Sequence, residues 1–277
     1  MKEVLIKEYN NLKNLRYHWE VDCGSISKNY IEDRKRWVPY QKGGDSNSWY
    51  GNNWLVVNYE GDGAKLATTD NKAFYFKDGI TYSATGAKVA FRKLPPNQIF
   101  DKKGSCIFSK AMNKEWNLDY VLSLLNSKFT TYVVGCLNST VETQVGDIKR
   151  VPFVTPKKVD ETLLAKLGLI NVNINQHLNE FSIVEKDYIS SPLNNSLTHG
   201  EFKKSAQLFM YYENCLNALI SLNESLINRK VFEIYTLNPE DIEKILAKEG
   251  ALIGEYPICN EAKSSFMEYL DNIDTKY

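Results

Sequence analysis

Arg34-Lys35-Arg36-Trp37-Val38-Pro39-Tyr40-Gln41-Lys42-Gly43-Gly44-Asp45-Ser46-Asn47-Ser48-Trp49-Tyr50-Gly51-Asn52-Asn53-Trp54-Leu55-Val56-Val57-Asn58 joins two aromatic and β-branched runs through a polar turn rich in glycine and asparagine. Such a pattern reads as a hairpin with a long loop. The loop also concentrates the groups that hold a phosphate backbone and read base edges. Arg34, Lys35, Arg36 and Lys42 can neutralise phosphates, and Gly43-Gly44 lets the main chain approach a ligand closely. Gln41, Asn52 and Asn53 carry the paired donor and acceptor that suit adenine. An ordinary hairpin with a polar loop, with Trp37 and Trp54 in the core, has the same composition. Trp49 and Tyr50 could wedge against a duplex or anchor the loop; for Trp49 the usual burial of large rings favours the anchor.

Outward from this hairpin, further short runs follow as far as Phe108, among them Ala73-Phe74-Tyr75-Phe76 and Val89-Ala90-Phe91, punctuated by Gly, Asn and Asp. They predict a curled, mostly antiparallel sheet. The period then changes: Leu118, Val121, Leu122, Leu125 and Phe129 fall at helical spacing, so Asn117 should cap a helix running to about Val134 and stopped by Gly135. Gly146 to Phe153 reads as a turn and an extended return to the sheet. Pro156-Lys157-Lys158 opens a linker. Beyond it the spacing predicts a short helix at about 160–167, polar extended chain through 171–198, a long helix over about 201–235, and another from Pro239 to Gly250. The expected class is α+β: a curled, mostly antiparallel β-sheet domain with a packed helix over residues 1–158, followed by an α-helical region over residues 159–277.

Charge divides the chain at the same place. Residues 1–158 hold 24 Lys or Arg against 16 Asp or Glu, and residues 159–277 hold 10 against 18, so a formal net charge of zero conceals halves of +8 and −8. A basic half supplies the counterion-release term that dominates non-specific DNA affinity, whereas an acidic half is repelled by a duplex and should face away. With 43% hydrophobic and 25% charged residues, the 277-residue chain can bury a substantial core. No apolar run approaches a membrane span and the charged N-terminus is unlike a secretory signal, so a cytoplasmic protein without membrane contact is expected. Five cysteines without a Cys-x-x-Cys pair argue against a disulfide framework and a structural zinc site.

An ordered series of blocks carries a family resemblance. They are Arg16-Tyr17-His18-Trp19-Glu20-Val21, Trp37 to Gly44, Trp49-Tyr50-Gly51-Asn52-Asn53, Val57-Asn58, Tyr75 to Ser83, Ile99 to Ser105, Gln144 to Ile148, Asn223 to Asn228 and Val231 to Tyr235. In this order, across residues 16–240, they resemble the C-terminal target-recognition region of the adenine-specific DNA methyltransferases of BREX phage-defence systems (PglX-type), relatives of the fused restriction-methylation enzymes. The resemblance implies a module that recognises double-stranded DNA, with contacts expected from Arg36, Gln41, Lys42, Gly43, Gly44, Trp49, Tyr50, Asn52, Tyr82, Ser83, Arg92 and Lys102. It further implies a helical part that braces the module against a catalytic core supplied in cis or in trans, and other BREX proteins as partners. The family begins this region with a Gly- and Asn-rich strand, whereas Met1 to Leu15 read as a charged helix or strand. A reading of another class is an interaction protein that kept the fold and lost DNA contact.

The sequence contains no Asp/Asn-Pro-Pro-aromatic motif, which an adenine amino-methyltransferase needs to grip the exocyclic amine and stack on the flipped base. Leu94-Pro95-Pro96-Asn97 and Asn238-Pro239-Glu240 each lack essential members. Gly61-Asp62-Gly63 leads into no predicted helix, so a glycine-rich turn for S-adenosylmethionine is missing too. The methyl-transfer chemistry and its S-adenosylmethionine are expected on another segment or chain, and no cofactor, metal or catalytic residue is expected here. The arrangement Pro239-Glu240-Asp241 with Glu261-Ala262-Lys263 mimics a metal-dependent nuclease, but both pieces read as helix or helix cap rather than adjoining strands. His18, His177 and His199 share no ligand spacing, and no Walker-type loop is present.

Overall fold

The computed structural model describes residues 14–44, 47–63, 66, 71–86, 88–100, 105–109, 116–191 and 202–252. Lys102, His199 and the Glu261-Ala262-Lys263 piece lie outside the described residues, as do Met1 to Lys13. Within them the fold is α+β, with two small, mostly antiparallel sheets and a set of packed helices.

The opening hairpin forms as the sequence predicts. Strands β1 (Leu15–Tyr17), β2 (Trp37–Gln41) and β3 (Leu55–Asn58) pair antiparallel in the order β1-β3-β2, with Tyr17 opposite Leu55 and Val38 opposite Val57. Strands β4 (Gly79–Tyr82) and β5 (Phe91–Leu94) make a second antiparallel pair, Ile80 facing Lys93. Strand β6 (Ile99–Phe100) then returns to the first sheet and lies parallel to β2, while β7 (Cys106–Ile107) closes the second against β4. Ala73 to Phe76, expected as a strand, instead contains a 3-10 turn at Lys72–Phe74. Its rings serve a different end: Phe76 stacks on Tyr30 at 5.2 Å, and Tyr75 meets Phe100 edge-on at 5.4 Å, so the segment fills the core under the first sheet.

The single expected helix after Asn117 is two helices. Asn117 caps α1 (Leu118–Leu125) by accepting the N–H groups of Asp119 and Tyr120, as read from the sequence. Asn126 ends it, because its side chain is committed elsewhere, accepting from Phe91 N and donating to Phe91 O, each at 3.0 Å. Ser127 then caps α2 (Lys128–Leu137), which runs through Gly135 instead of stopping there. Val145–Lys149 forms a short helix, α3, held by Gln144 N donating to Asp147 at 2.9 Å, and the following extended chain crosses the helices, not a sheet. There Pro152 O accepts from the Tyr235 hydroxyl, and the Phe153 ring meets Trp116 edge-on.

The greatest departure is α4 (Lys158–Asn179), a 22-residue helix where a short helix and extended chain were expected. Asn171, Asn173 and Asn175 weaken local helix propensity, but tertiary packing overrides it. Asn171 is fully buried and accepts from Asn223 Nδ2 at 2.8 Å across the interface with α5 (Phe202–Ile234). Helix α6 (Pro239–Glu249) follows, with Asn238 as N-cap, proline in the first turn and Gly250 at φ 89° ending it.

One hydrophobic core joins Trp49, Ile80, Tyr82 and Phe91 of the strand region to Tyr120, Leu122, Leu164, Val172, Ile227 and Val231 of the helices. The boundary at residue 158 is thus one of charge and composition, and buried packing runs across it. Helices α1 and α4 approach tightly across it, where Ser123 Oγ donates to Leu164 O at 2.8 Å. A Cβ on Gly168 would overlap Ser123 Oγ and lie 2.9 Å from Asp119 O. Gly168→Ala is therefore expected to force α1 and α4 apart and destabilise the protein by about 1–3 kcal/mol, whereas Gly146→Ala, with open space at its Cβ position, should not. Urea unfolding of the two variants checks this.

Candidate nucleic-acid interface

The loop between β2 and β3 leaves the sheet beside strand β5. Trp49 N donates to Phe91 O at 2.8 Å and Lys93 N donates to Trp49 O at 2.8 Å, so Trp49 forms a bridge alongside β5. Holding it there requires left-handed backbone at two non-glycine residues, Trp49 at φ 72° and Asn52 at φ 63°. For a bulky residue this conformation is costly and persists only where its surroundings enforce it.

Three carboxylates from the C-terminal half provide that enforcement. Glu185 accepts the backbone N–H groups of Asn52 and Asn53 at 3.0 and 2.8 Å, one on each oxygen. Asp187 accepts from the Tyr50 hydroxyl at 2.6 Å, and Glu224 of α5 accepts from the Trp49 indole N–H at 2.8 Å. Burial pushes the carboxyls of Glu185 and Glu224 above their ordinary range, against the opposing pull of those N–H donors. Burial also raises the Tyr50 hydroxyl, reinforced by the neighbouring Asp187 charge. Local sequence could not have revealed this clamp, since its acids lie more than 130 positions from the loop they hold.

The side chains expected to contact DNA separate into two groups. Arg36 and Lys42 are exposed, as is Gly44, whereas Gly43 is buried. The Arg36 guanidinium lies 5.3 Å from the Trp37 ring, and Arg36 and Lys42 flank β2, about 20 Å apart along the strand. Gly43 and Gly44 adopt φ 83° and 129°, and a Cβ on Gly44 would meet the Trp54 ring at 2.9 Å, so this close backbone turn needs glycine. Lys102 lies outside the described residues.

Gln41, Trp49, Tyr50, Asn52, Tyr82, Ser83 and Arg92 are all buried, with exposures of 6% or less. Reading base edges needs these side chains at the surface, and the structure turns them inward. Gln41 and Gln98 both donate to Asn53 Oδ1, at 2.8 and 3.0 Å, and Asn47 donates to Asn52 Oδ1 at 2.8 Å. The Arg92 guanidinium donates to Asn47 O and to Ser83 Oγ, at 3.2 and 3.1 Å. The amides that suggested adenine recognition are thus joined to one another behind the loop. Trp49 is the anchor favoured from its size. Among the described residues no group of three or more His, Cys, Asp or Glu could hold a metal ion, and no helix is long and apolar enough to cross a membrane.

No protein-family profile matches the chain. It is similar to the adenine-specific methyltransferase BrxX of Escherichia coli O9:H4 (strain HS), with 26% identity over 222 residues, covering 75% of this chain and 18% of the relative. It is also similar to the adenine-specific methyltransferase PglX of Lacticaseibacillus casei (strain Zhang), with 30% identity over 173 residues, covering 55% of this chain and 14% of the relative. The chain therefore spans less than a fifth of the length of the curated relatives it matches.

Replacing Glu185 by glutamine leaves an amide N–H facing one of two buried backbone donors. Glu185→Gln is expected to cost about 1–3 kcal/mol of stability and to speed hydrogen exchange at the Asn52 and Asn53 amides. Because the folded-state pKa of Glu185 is raised, the stability it contributes is fully present below the unfolded carboxylate pKa and is lost as pH rises through the folded value. The gap between wild type and variant should consequently narrow from pH 4 to pH 8, as followed by thermal unfolding.

Proposed function

We propose that this chain is the DNA target-recognition part of an adenine-specific DNA methyltransferase of the BREX phage-defence type, with methyl transfer carried by the rest of the enzyme. The observation that carries the reading is the match of 75% of this chain to only 18% of an adenine-specific methyltransferase. Blocks that carry the resemblance pack together: Trp49 and Tyr50, Ile80 and Tyr82, and Ile227 share one core, while Tyr75 and Phe76 belong to a second cluster.

In this reading Arg36, Lys42 and Lys102 neutralise phosphates, and the exposed Gly44 backbone approaches the duplex while the buried Gly43 shapes the turn. Gln41, Trp49, Tyr50, Asn52, Tyr82, Ser83 and Arg92 act from inside, fixing the loop that carries those contacts. Their substitution would alter DNA binding through the shape of the loop. A glycine-rich cofactor turn and an Asp/Asn-Pro-Pro-aromatic motif are missing from the sequence, so S-adenosylmethionine and the target adenine belong to the remaining catalytic core.

The helical half joins this module to that core. The first half of α5 supports this role: Phe202, Leu208, Met210, Tyr211 and Tyr212 are all exposed there, an unusual run of large apolar side chains on one segment. The acidic excess of the same half keeps it off the duplex. Other BREX proteins would meet the assembled enzyme.

Duplex binding by the chain should fall steeply with salt, by about 0.9 log unit per log unit of salt for each phosphate neutralised. Arg36→Ala and Lys42→Ala should each weaken binding almost equally on matched and scrambled duplexes and lower the salt slope by about one. Fluorescence anisotropy over a salt series checks both; a flat salt response would refute the reading. Isothermal calorimetry of the same chain with S-adenosylmethionine should show no binding, with duplex present or absent.

A further inference from the structure

Tyr17 and Trp19 form an aromatic stack on the protein surface. Their rings lie 4.6 Å apart and within 6° of parallel, and the side chains are 46% and 51% exposed. Of the five tryptophans, all of them described, Trp19 is the only exposed one; Trp49 is buried and the other three are partly buried. Leaving two large rings half in water forgoes hydrophobic stabilisation that burial would supply.

The pair is nevertheless held in place. Tyr17 N donates to Glu20 at 2.7 Å, which closes the turn. His18 between them donates its backbone N–H to Trp54 O at 2.9 Å, and its ring lies 3.3 Å from Val184 O. The stack is thus pinned on one side to the loop-bearing hairpin and on the other to the segment that supplies Glu185. The His18 ring meets Trp19 edge-on at 4.9 Å and steadies it, and two parallel rings, each about half exposed, can receive a third planar ring.

Strand register places the stack beside the proposed DNA contacts. Tyr17 is opposite Leu55 at the end of β1, and Pro39 is opposite Val56, so β2 reaches its own end at Gln41 level with Trp54. The Tyr17–Trp19 turn and the Lys42-Gly43-Gly44 turn therefore leave the sheet from the same end. The half of the chain that carries this end has eight excess positive charges, which suits an anionic partner, and the paired exposed rings suit one that also offers planar groups.

We infer that Tyr17 and Trp19 are a stacking platform for a base of duplex DNA, exposed at an opened step beside the backbone contacts of Lys42-Gly43-Gly44; this inference rests on the DNA-recognition reading. Stacking adds affinity without adding a phosphate contact, so its signature differs from that of a cation. Trp19→Ala should weaken binding of the chain to a 30-base-pair duplex at least about fivefold at every salt concentration and leave the salt slope unchanged, while Trp19→Phe retains most of the affinity. In the wild type, duplex should protect the exposed tryptophan from acrylamide quenching, and Trp19→Ala should lack that quenchable component. Wild-type affinity in Trp19→Ala with unprotected Trp19 in the bound state would overturn the platform and leave DNA recognition standing. Absence of duplex binding by the wild-type chain would overturn both. Protection of Trp19 by the rest of the methyltransferase, and not by duplex, would assign the stack to a protein contact and also overturn the inference. Should Trp19→Ala fail to fold, the wild-type quenching result and the Trp19→Phe affinity decide the matter.

Discussion

The paired hydrogen bonds from Asn52 N and Asn53 N to the two oxygens of Glu185 are the constraint on which the arrangement of this protein depends. They join a loop of the strand region to the segment that follows helix α4. A buried carboxylate is costly unless each oxygen finds a donor, and buried amide N–H groups are costly without acceptors. Each side therefore satisfies a need the other cannot meet locally. Trp49 to Glu224 and Tyr50 to Asp187 extend the same logic along the loop, so that a backbone with two left-handed non-glycine residues keeps one shape. Strain at Trp49 is tolerated because the indole fills the core and its N–H has a fixed acceptor.

This clamp changes the meaning of the most polar part of the sequence. Gln41, Asn52 and Asn53 have the donor and acceptor pattern that suits an adenine edge, and a linear reading sends them outward. Inside the protein an amide can serve another amide, and Gln41 and Gln98 each give an N–H to Asn53 Oδ1. Residue type defines which hydrogen bonds are possible, while burial decides which partner takes them. Arg92 shows the same effect more strongly, as a cation with no exposed surface, oriented by Ser83 and the backbone of Asn47.

Local chemistry made much of the fold legible. The hairpin of β2 and β3, the cap at Asn117 and the proline-to-glycine limits of α6 follow from residues that act within a few positions of themselves. The failures share a cause in distant contacts. Helix α4 outlasts its weak asparagine-rich stretch because Asn171 meets Asn223 in the core, and the run at Ala73 to Phe76 gives up strand form to place its rings beneath the first sheet. The break at Asn126 depends on the backbone of Phe91, thirty-five positions away. Of the site, the exposed cations and the Gly44 turn could be read directly. The acidic clamp could not, because nothing in the neighbourhood of Glu185 or Glu224 encodes the loop they hold.

Helix α5 has a consequence of its own. At 33 residues it is about 50 Å long, yet its buried positions, Ser205 apart, begin only at Ile220. Its second half is locked into the common core, while its first half leans on the end of α4 through Tyr212 against His177 and on the chain just beyond it through Phe209 against Phe181. A continuous helix thus crosses from a half packed into the core to one whose large apolar side chains are mostly exposed. Glu224 lies in the half that the core holds, so the acceptor of the Trp49 indole is positioned by the same packing that buries Ile227 and Val231.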